Sequence, residues 1–116
     1  VEKNVIALLG DSKLIIENSL QHSVDRVIMP LPEKAKEYLP YAHLALKSSG
    51  GWIHYHDFVQ TTKNEDPLSK LIKELKIQLY KLNIEFWSLS ARKVRSVGPN
   101  KFHVVVDIHV KPVGKS

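Results

Sequence analysis

Short apolar runs recur along the first half of the chain, each bounded by glycine or proline. Val5-Ile6-Ala7-Leu8-Leu9 closes at Gly10-Asp11, and Asp25-Arg26-Val27-Ile28-Met29 closes at Pro30-Leu31-Pro32. Gly51-Trp52-Ile53-His54-Tyr55 opens at Gly50-Gly51. Runs of this kind predict strands buried on both faces, as in a parallel sheet. Between them the apolar spacing predicts helices. Residues 12–20 carry Leu14, Ile15 and Leu20 behind Ser12, a residue type that caps helices. Residues 33–47 carry Ala35, Leu39, Ala42 and Leu46, and Pro40 is expected to kink or split that helix. Residues 66–82 give the clearest pattern. Asp66 suits the cap and Pro67 the first turn, while Leu68, Leu71, Ile72, Leu75, Leu79 and Leu82 form one apolar stripe. Lys70, Lys73, Lys76 and Lys81 fall largely off it.

The pattern then changes period. Ile84 to Val97 alternates in part, Gly98-Pro99-Asn100 forms a turn, and Phe102, Val104, Val106, Ile108 and Val110 alternate with His103, Val105, Asp107, His109 and Lys111. This predicts an antiparallel β-hairpin. Strand and helix therefore alternate before a two-stranded finish, which predicts an α/β sheet with ligands at the carboxyl ends of its parallel strands. Residues 60–66 are the most loop-like stretch, and no internal repeat is present.

Composition narrows the partners. Of the 116 residues, 43% are hydrophobic and 25% charged, which fits a packed core rather than a disordered chain. No apolar run approaches the roughly 20 residues of a membrane span, and no secretory signal opens the chain. The absence of cysteine excludes disulfides and thiolate zinc sites, and fits a cytoplasmic protein. A net charge of +5 favours a polyanion such as RNA. His54 and His56 share one face of a strand, a spacing that can bind metal, but without a clear third ligand they read as structural or as part of a site wall. Tyr55 and Asp57 point to the other face and could line a cleft.

Read together, the punctuated strands carry a specific set of motifs. Asp25-Arg26-Val27-Ile28-Met29-Pro30-Leu31-Pro32 resembles the fourth-strand motif D-x-V-I-M-N-L-P of the Met-10+ family of class I, S-adenosylmethionine-dependent methyltransferases. Gly50-Gly51-Trp52-Ile53-His54-Tyr55-His56-Asp57-Phe58 is similar to that family's G-G-x-I-H-Y-Y-x-F strand, and Arg95 to Asn100 followed by His103 to Asp107 is similar to its closing hairpin. Gly10-Asp11 matches the acidic end of its third strand.

The resemblance implies a Rossmann-like class I methyltransferase sheet. Residues 1–116 would supply its C-terminal five strands, mostly parallel with a final antiparallel hairpin, as the C-terminal portion of a single domain. It implies S-adenosylmethionine as cofactor, tRNA as partner and no metal. The implied activity is N1-methylation of guanosine 37, next to the anticodon. The sister transfer of an aminocarboxypropyl group, a methylation within wyosine synthesis, and a truncated noncatalytic α/β module stand as alternatives. On this reading Asp11, with Ser12 beside it, would meet the adenine end of the cofactor, although Asp11 would equally cap the helix that follows. Pro30, Leu31 and Pro32 would align the acceptor with the methyl group, Pro30 touching the cofactor as well. The family pattern has Asn where Pro30 stands, so the polar contact that Asn makes to the target base is missing here. Arg92, Lys93 and Arg95 form the densest basic cluster, suited to tRNA phosphates or to guarding an edge strand. No G-x-G-x-x-G loop is present to hold the methionine end of the cofactor. The 116-residue chain alone is therefore expected not to bind S-adenosylmethionine tightly, and to expose a strand edge through which it would aggregate or dimerise.

Overall fold

A computed structural model describes residues 4–9 and 21–113. The predicted helix over 12–20, and with it Asp11 and Ser12, lies outside the described residues. The elements are β1 (Val5–Ala7), β2 (Arg26–Met29), a 3-10 helix (Pro32–Lys34), α1 (Ala35–Ala45), β3 (Gly51–Gln60), α2 (Pro67–Lys81), β4 (Phe86–Gly98) and β5 (Lys101–Val110). The strands form one sheet in the order β1-β2-β3-β5-β4. β1, β2 and β3 pair in parallel, while β5 runs antiparallel to both β3 and β4. The expectation of a mostly parallel sheet holds for strand direction, since only β5 is reversed. It does not hold for pairing, which is antiparallel in two of the four contacts because the reversed strand sits between two forward ones.

Both described helices lie against the sheet, α1 on β2 and β3 and α2 on β3, β4 and β5. Side-chain alternation decides what they cover. Val27 and Met29 of β2, Ile53, Tyr55 and Val59 of β3, and Val104, Val106, Ile108 and Val110 of β5 are all buried in one cluster with Ala35, Leu39, Ala42 and Ala45 of α1 and Leu71, Leu75 and Leu79 of α2. Three alanines on the buried side of α1 let its backbone approach the strands closely. The expectation that strands would be buried on both faces is corrected. On β3 the alternate residues Trp52, His54 and His56 are only half-buried and Phe58 is exposed, because neither described helix lies over them.

Local chemistry fixes the ends. Asp66 caps α2 through its carboxylate, which accepts the backbone N–H groups of Leu68 and Ser69. The same helix stops in a Schellman arrangement, with Asn83 at φ 58, its N–H donated to Tyr80 O and that of Ile84 donated to Leu79 O. Pro40 neither splits nor ends α1, which runs unbroken from Ala35 to Ala45. The ring removes the N–H that Lys36 O would accept, and both residues are solvent-exposed, so water can satisfy that carbonyl. Gly50 is required where β3 begins: its φ is +91, and a Cβ there would collide with the carbonyl oxygen of Val110.

Candidate active site

The parallel direction of β1, β2 and β3 brings their carboxyl ends to one side of the sheet. Leu8 and Leu9 follow β1, Pro30 and Leu31 follow β2, and Gln60 closes β3. Leu8 N–H donates to Ile28 O at 2.8 Å, which carries the β1–β2 pairing up to the start of the proline loop. Pro30 and Leu31 are half-buried, and Pro32 opens the 3-10 helix, whose Lys34 N–H donates to Leu31 O at 3.0 Å. Two prolines fix φ and remove two backbone donors from this segment, so it is stiff and offers carbonyls rather than N–H groups. The hairpin turn is pinned to the same end. Gln60 donates its side-chain amide to Pro99 O and Asn100 O at 3.2 and 3.1 Å, and Thr61 N–H donates to Asn100 O at 2.8 Å.

The basic cluster is divided by its strand. A β-bulge between Lys93 and Arg95 puts Arg92 opposite Val105 and Arg95 opposite His103, on the face away from the helices, while Lys93 lies opposite Val104 on the other. Arg92 donates to Asp107 at 2.6 Å, and Lys93 Nζ sits 4.8 Å from the Phe102 ring centre. Strands β3 and β5 separate this cluster from the proline loop, a gap of about 14 Å at ordinary strand spacing. The two sets of residues do not meet.

The face away from the helices carries a polar network that the sequence did not single out. Arg26 of β2 donates to His54 Nε2 at 2.7 Å, and His54 Nδ1 donates to Asp107 Oδ1 at 2.6 Å. Arg92 closes the chain on Asp107 Oδ2, so the network crosses β2, β3, β5 and β4. Accepting from a guanidinium at one nitrogen and donating at the other assigns His54 the neutral tautomer with its proton on Nδ1. Burial works against ionisation of Asp107, but the hydrogen bonds from His54 and Arg92 outweigh it and hold the carboxyl below its ordinary range. Trp52 stacks on His109 with ring centres 4.3 Å apart, and Arg26 lies 5.7 Å from the Trp52 ring centre. His56 and His103 share a hydrogen bond of 2.9 Å, and both titrate below the ordinary histidine value. For His56 burial is the main cause and the neighbouring His103 adds to it; for His103 burial again leads and Arg95 adds. His54 and His56 do share a face, and each is matched by a partner on β5, so both have structural work. Among the described residues no group of three or more His, Cys, Asp or Glu is arranged to hold a metal ion.

Tyr55 does not line a cleft: it is 1% exposed beneath the helices, where burial raises its hydroxyl well above the ordinary tyrosine value. Asp57, on the same side but nearer the strand end, is half-buried. Among the described residues no helix is long and apolar enough to cross a membrane.

The family model for the TRM5/TYW2 methyltransferase domain matches residues 1–85, ending just before β4. The chain is 39% identical over 105 residues to a tRNA 4-demethylwyosine(37)-methyltransferase, Taw21, of Saccharolobus solfataricus, covering 90% of this chain and 35% of that protein. It is 29% identical over 107 residues to the tRNA (guanine(37)-N(1))-methyltransferase Trm5b of Pyrococcus abyssi, covering 92% of this chain and 30% of that protein. The chain thus spans about a third of the length of these curated relatives. Its fold is similar to that of M. jannaschii TYW2, crystallised in complex with AdoMet, with a TM-score of 0.69 and 29% identity over 84% of this chain and 43% of that one.

Proposed function

This chain belongs to the TRM5/TYW2 methyltransferase domain family, and from that premise we propose that it is the C-terminal part of a single S-adenosylmethionine-dependent domain that methylates N1 of guanosine 37 in tRNA. The observation that carries this reading is the stiff Pro30-Leu31-Pro32 loop at the carboxyl end of the second of three parallel strands, where α/β sheets bind their ligands.

The described residues fit part of such a cofactor. Leu9, 52% exposed at the end of β1, and the Pro30 ring offer apolar surface to the adenine, with Asp11 and Ser12 beyond the described residues as its polar contacts. When bound, S-adenosylmethionine supplies an electrophilic methyl group on a sulfonium. The chain's own contribution is positional. Methyl transfer needs nucleophile, carbon and sulfur nearly in line, and a loop whose φ angles are set by two prolines holds the acceptor without paying to order itself at each turnover. Arg92 and Arg95, which share one face of β4, are about 14 Å away across two strands, a suitable offset for flanking phosphates while the base reaches the loop, with Lys93 on the opposite face.

The test is label transfer from the intact protein to an unmodified tRNA transcript with guanosine 3′ of the anticodon. Methyl-labelled cofactor should label the RNA and carboxyl-labelled cofactor should not. Carboxyl label in the RNA would establish aminocarboxypropyl transfer and sink the reading. The 39% identity to the 4-demethylwyosine methyltransferase supports a second reading, in which the acceptor is that modified base; tRNA already carrying it would then be methylated faster than the transcript. The 116-residue chain alone should show no micromolar binding of the cofactor in a calorimetric titration, since no glycine-rich loop is present. Micromolar binding would show that the described strand ends suffice.

A further inference from the structure

The loop after β2 presents a recognition problem. Pro30, Leu31 and Pro32 have no side chain that makes a hydrogen bond, so a base held there must be read by a neighbouring element. Most polar side chains at this end are already committed. Gln60 and Thr61 hold the hairpin turn through Pro99 O and Asn100 O, Glu65 accepts from Thr62 N–H, and His56 is bound to His103 on the opposite face.

Asp57 differs in place and in capacity. The last residue of β2, Met29, pairs with Tyr55, so Asp57 lies two residues further along β3 and stands level with the proline loop. The 3-10 helix that continues this loop packs on β3. Oδ1 accepts the adjacent Phe58 N–H at 2.8 Å, and Tyr55 OH reaches Oδ2 only at 3.4 Å, so carboxylate lone pairs remain for a ligand. Burial pushes this carboxyl above its ordinary range, against the Phe58 N–H and Lys36, while Glu74 adds to the rise. A half-buried acceptor with little pairing gains from any donor brought to it.

We propose that Asp57 reads the acceptor base, its carboxyl group accepting a hydrogen bond from the exocyclic amino group of a 2-amino-purine presented at the Pro30-Leu31-Pro32 loop, which leaves the neighbouring ring nitrogen N1 clear for the methyl group. The inference rests on the reading of this end as a tRNA methyl-transfer site. A carboxylate accepts and does not donate, and guanine alone among the unmodified purines carries an exocyclic amino group at C2, beside the N1 that takes the methyl group. Inosine lacks that amino group, and adenine carries its own at C6 instead. A site built around such an acceptor rejects the analogue without the donor, because the carboxylate is then left unpaired.

The experiment measures initial rates of methyl transfer by the intact protein to two transcripts that differ only in guanosine or inosine at the acceptor position. The wild type should prefer guanosine by about tenfold in kcat/KM, the order expected for a lost hydrogen bond to a charged group. Asp57→Ala should bring the guanosine rate down to the inosine rate, with cofactor binding unchanged by equilibrium dialysis. Should that variant fail to fold, Asp57→Asn, which keeps the shape and removes the charge, carries the same comparison and should lose most of the preference. A variant that keeps the full preference overturns the proposal. So does a variant that slows both substrates equally, since that is a structural effect. If the wild type methylates neither transcript nor any other tRNA, the methyl-transfer reading itself falls and this inference with it.

Discussion

On β3, Ile53, Tyr55 and Val59 look one way, and Trp52, His54 and His56 look the other. The first set is fully buried under α1 and α2, in contact with leucines, valines and alanines. The second set is half-buried and joined to its neighbours by directed bonds, from Arg26 through His54 and Asp107 to Arg92. The two faces of one strand are therefore held by different physics. The apolar face is stabilised in proportion to the area taken from water, and its contacts have no required partner. On the polar face each group was chosen against one other, so the loss of one member strands the next.

That contrast gives an order of effects. Ile53→Ala, at a fully buried position, should cost about 3 kcal/mol by denaturant unfolding of the intact protein, through lost transfer energy and a cavity. Asp107→Ala should cost less, about 1–2 kcal/mol, because its side chain and that of His54 are still 20% and 19% exposed and water can replace part of what is lost. A double-mutant cycle between His54→Ala and Asp107→Ala should show a larger coupling than one between Ile53→Ala and Asp107→Ala, whose side chains lie on opposite faces of the sheet. Equal costs at Ile53 and Asp107 would break the comparison.

The smallest effect is pH dependence, and it should come in two steps. His56 and His103 titrate below the ordinary 6.5 when folded. The unfolded chain therefore binds protons first, and stability falls as pH drops through and below 6.5. Asp107 also titrates below its ordinary value, which is 3.8. Its contribution is full above 3.8 and is lost only as pH falls through the lower folded value. A melting series from pH 8 to 3 checks this, and a stability that rose between 7 and 5 would contradict it.

The apolar face was largely legible from the sequence. The leucine stripe with Asp66 and Pro67 predicted α2, and the strict alternation after Asn100 predicted β5 with its buried side. Such signals are local, and each element carries its own period. The polar face was not legible in the same way. His54, Asp107, Arg26 and Arg92 are separated by up to 81 positions, and only the register across four strands makes them one network. Arg92, Lys93 and Arg95 looked like a single cluster because they are near one another in sequence, yet the bulge and the strand period divide them between faces. Pro40 was expected to kink or split α1; it does not split it, and its exposure explains why the helix continues through it. Of the candidate site, the proline loop was visible as a motif, whereas Asp57 could be placed level with it only through the pairing of Met29 with Tyr55.

The strand order has a consequence for synthesis. β5 is made after β4 but inserts between β4 and β3, and it supplies Val104, Val106, Ile108 and Val110 to the core. While a ribosome is still translating up to residue 100, β3 lacks a neighbour on one side and β4 has nothing to pair with. The nascent chain must therefore wait with β4 unpaired and one edge of β3 open until residues 101–110 emerge. Ribosome stalling within that window would release a species prone to capture by chaperones or by other chains, whatever the stability of the finished sheet.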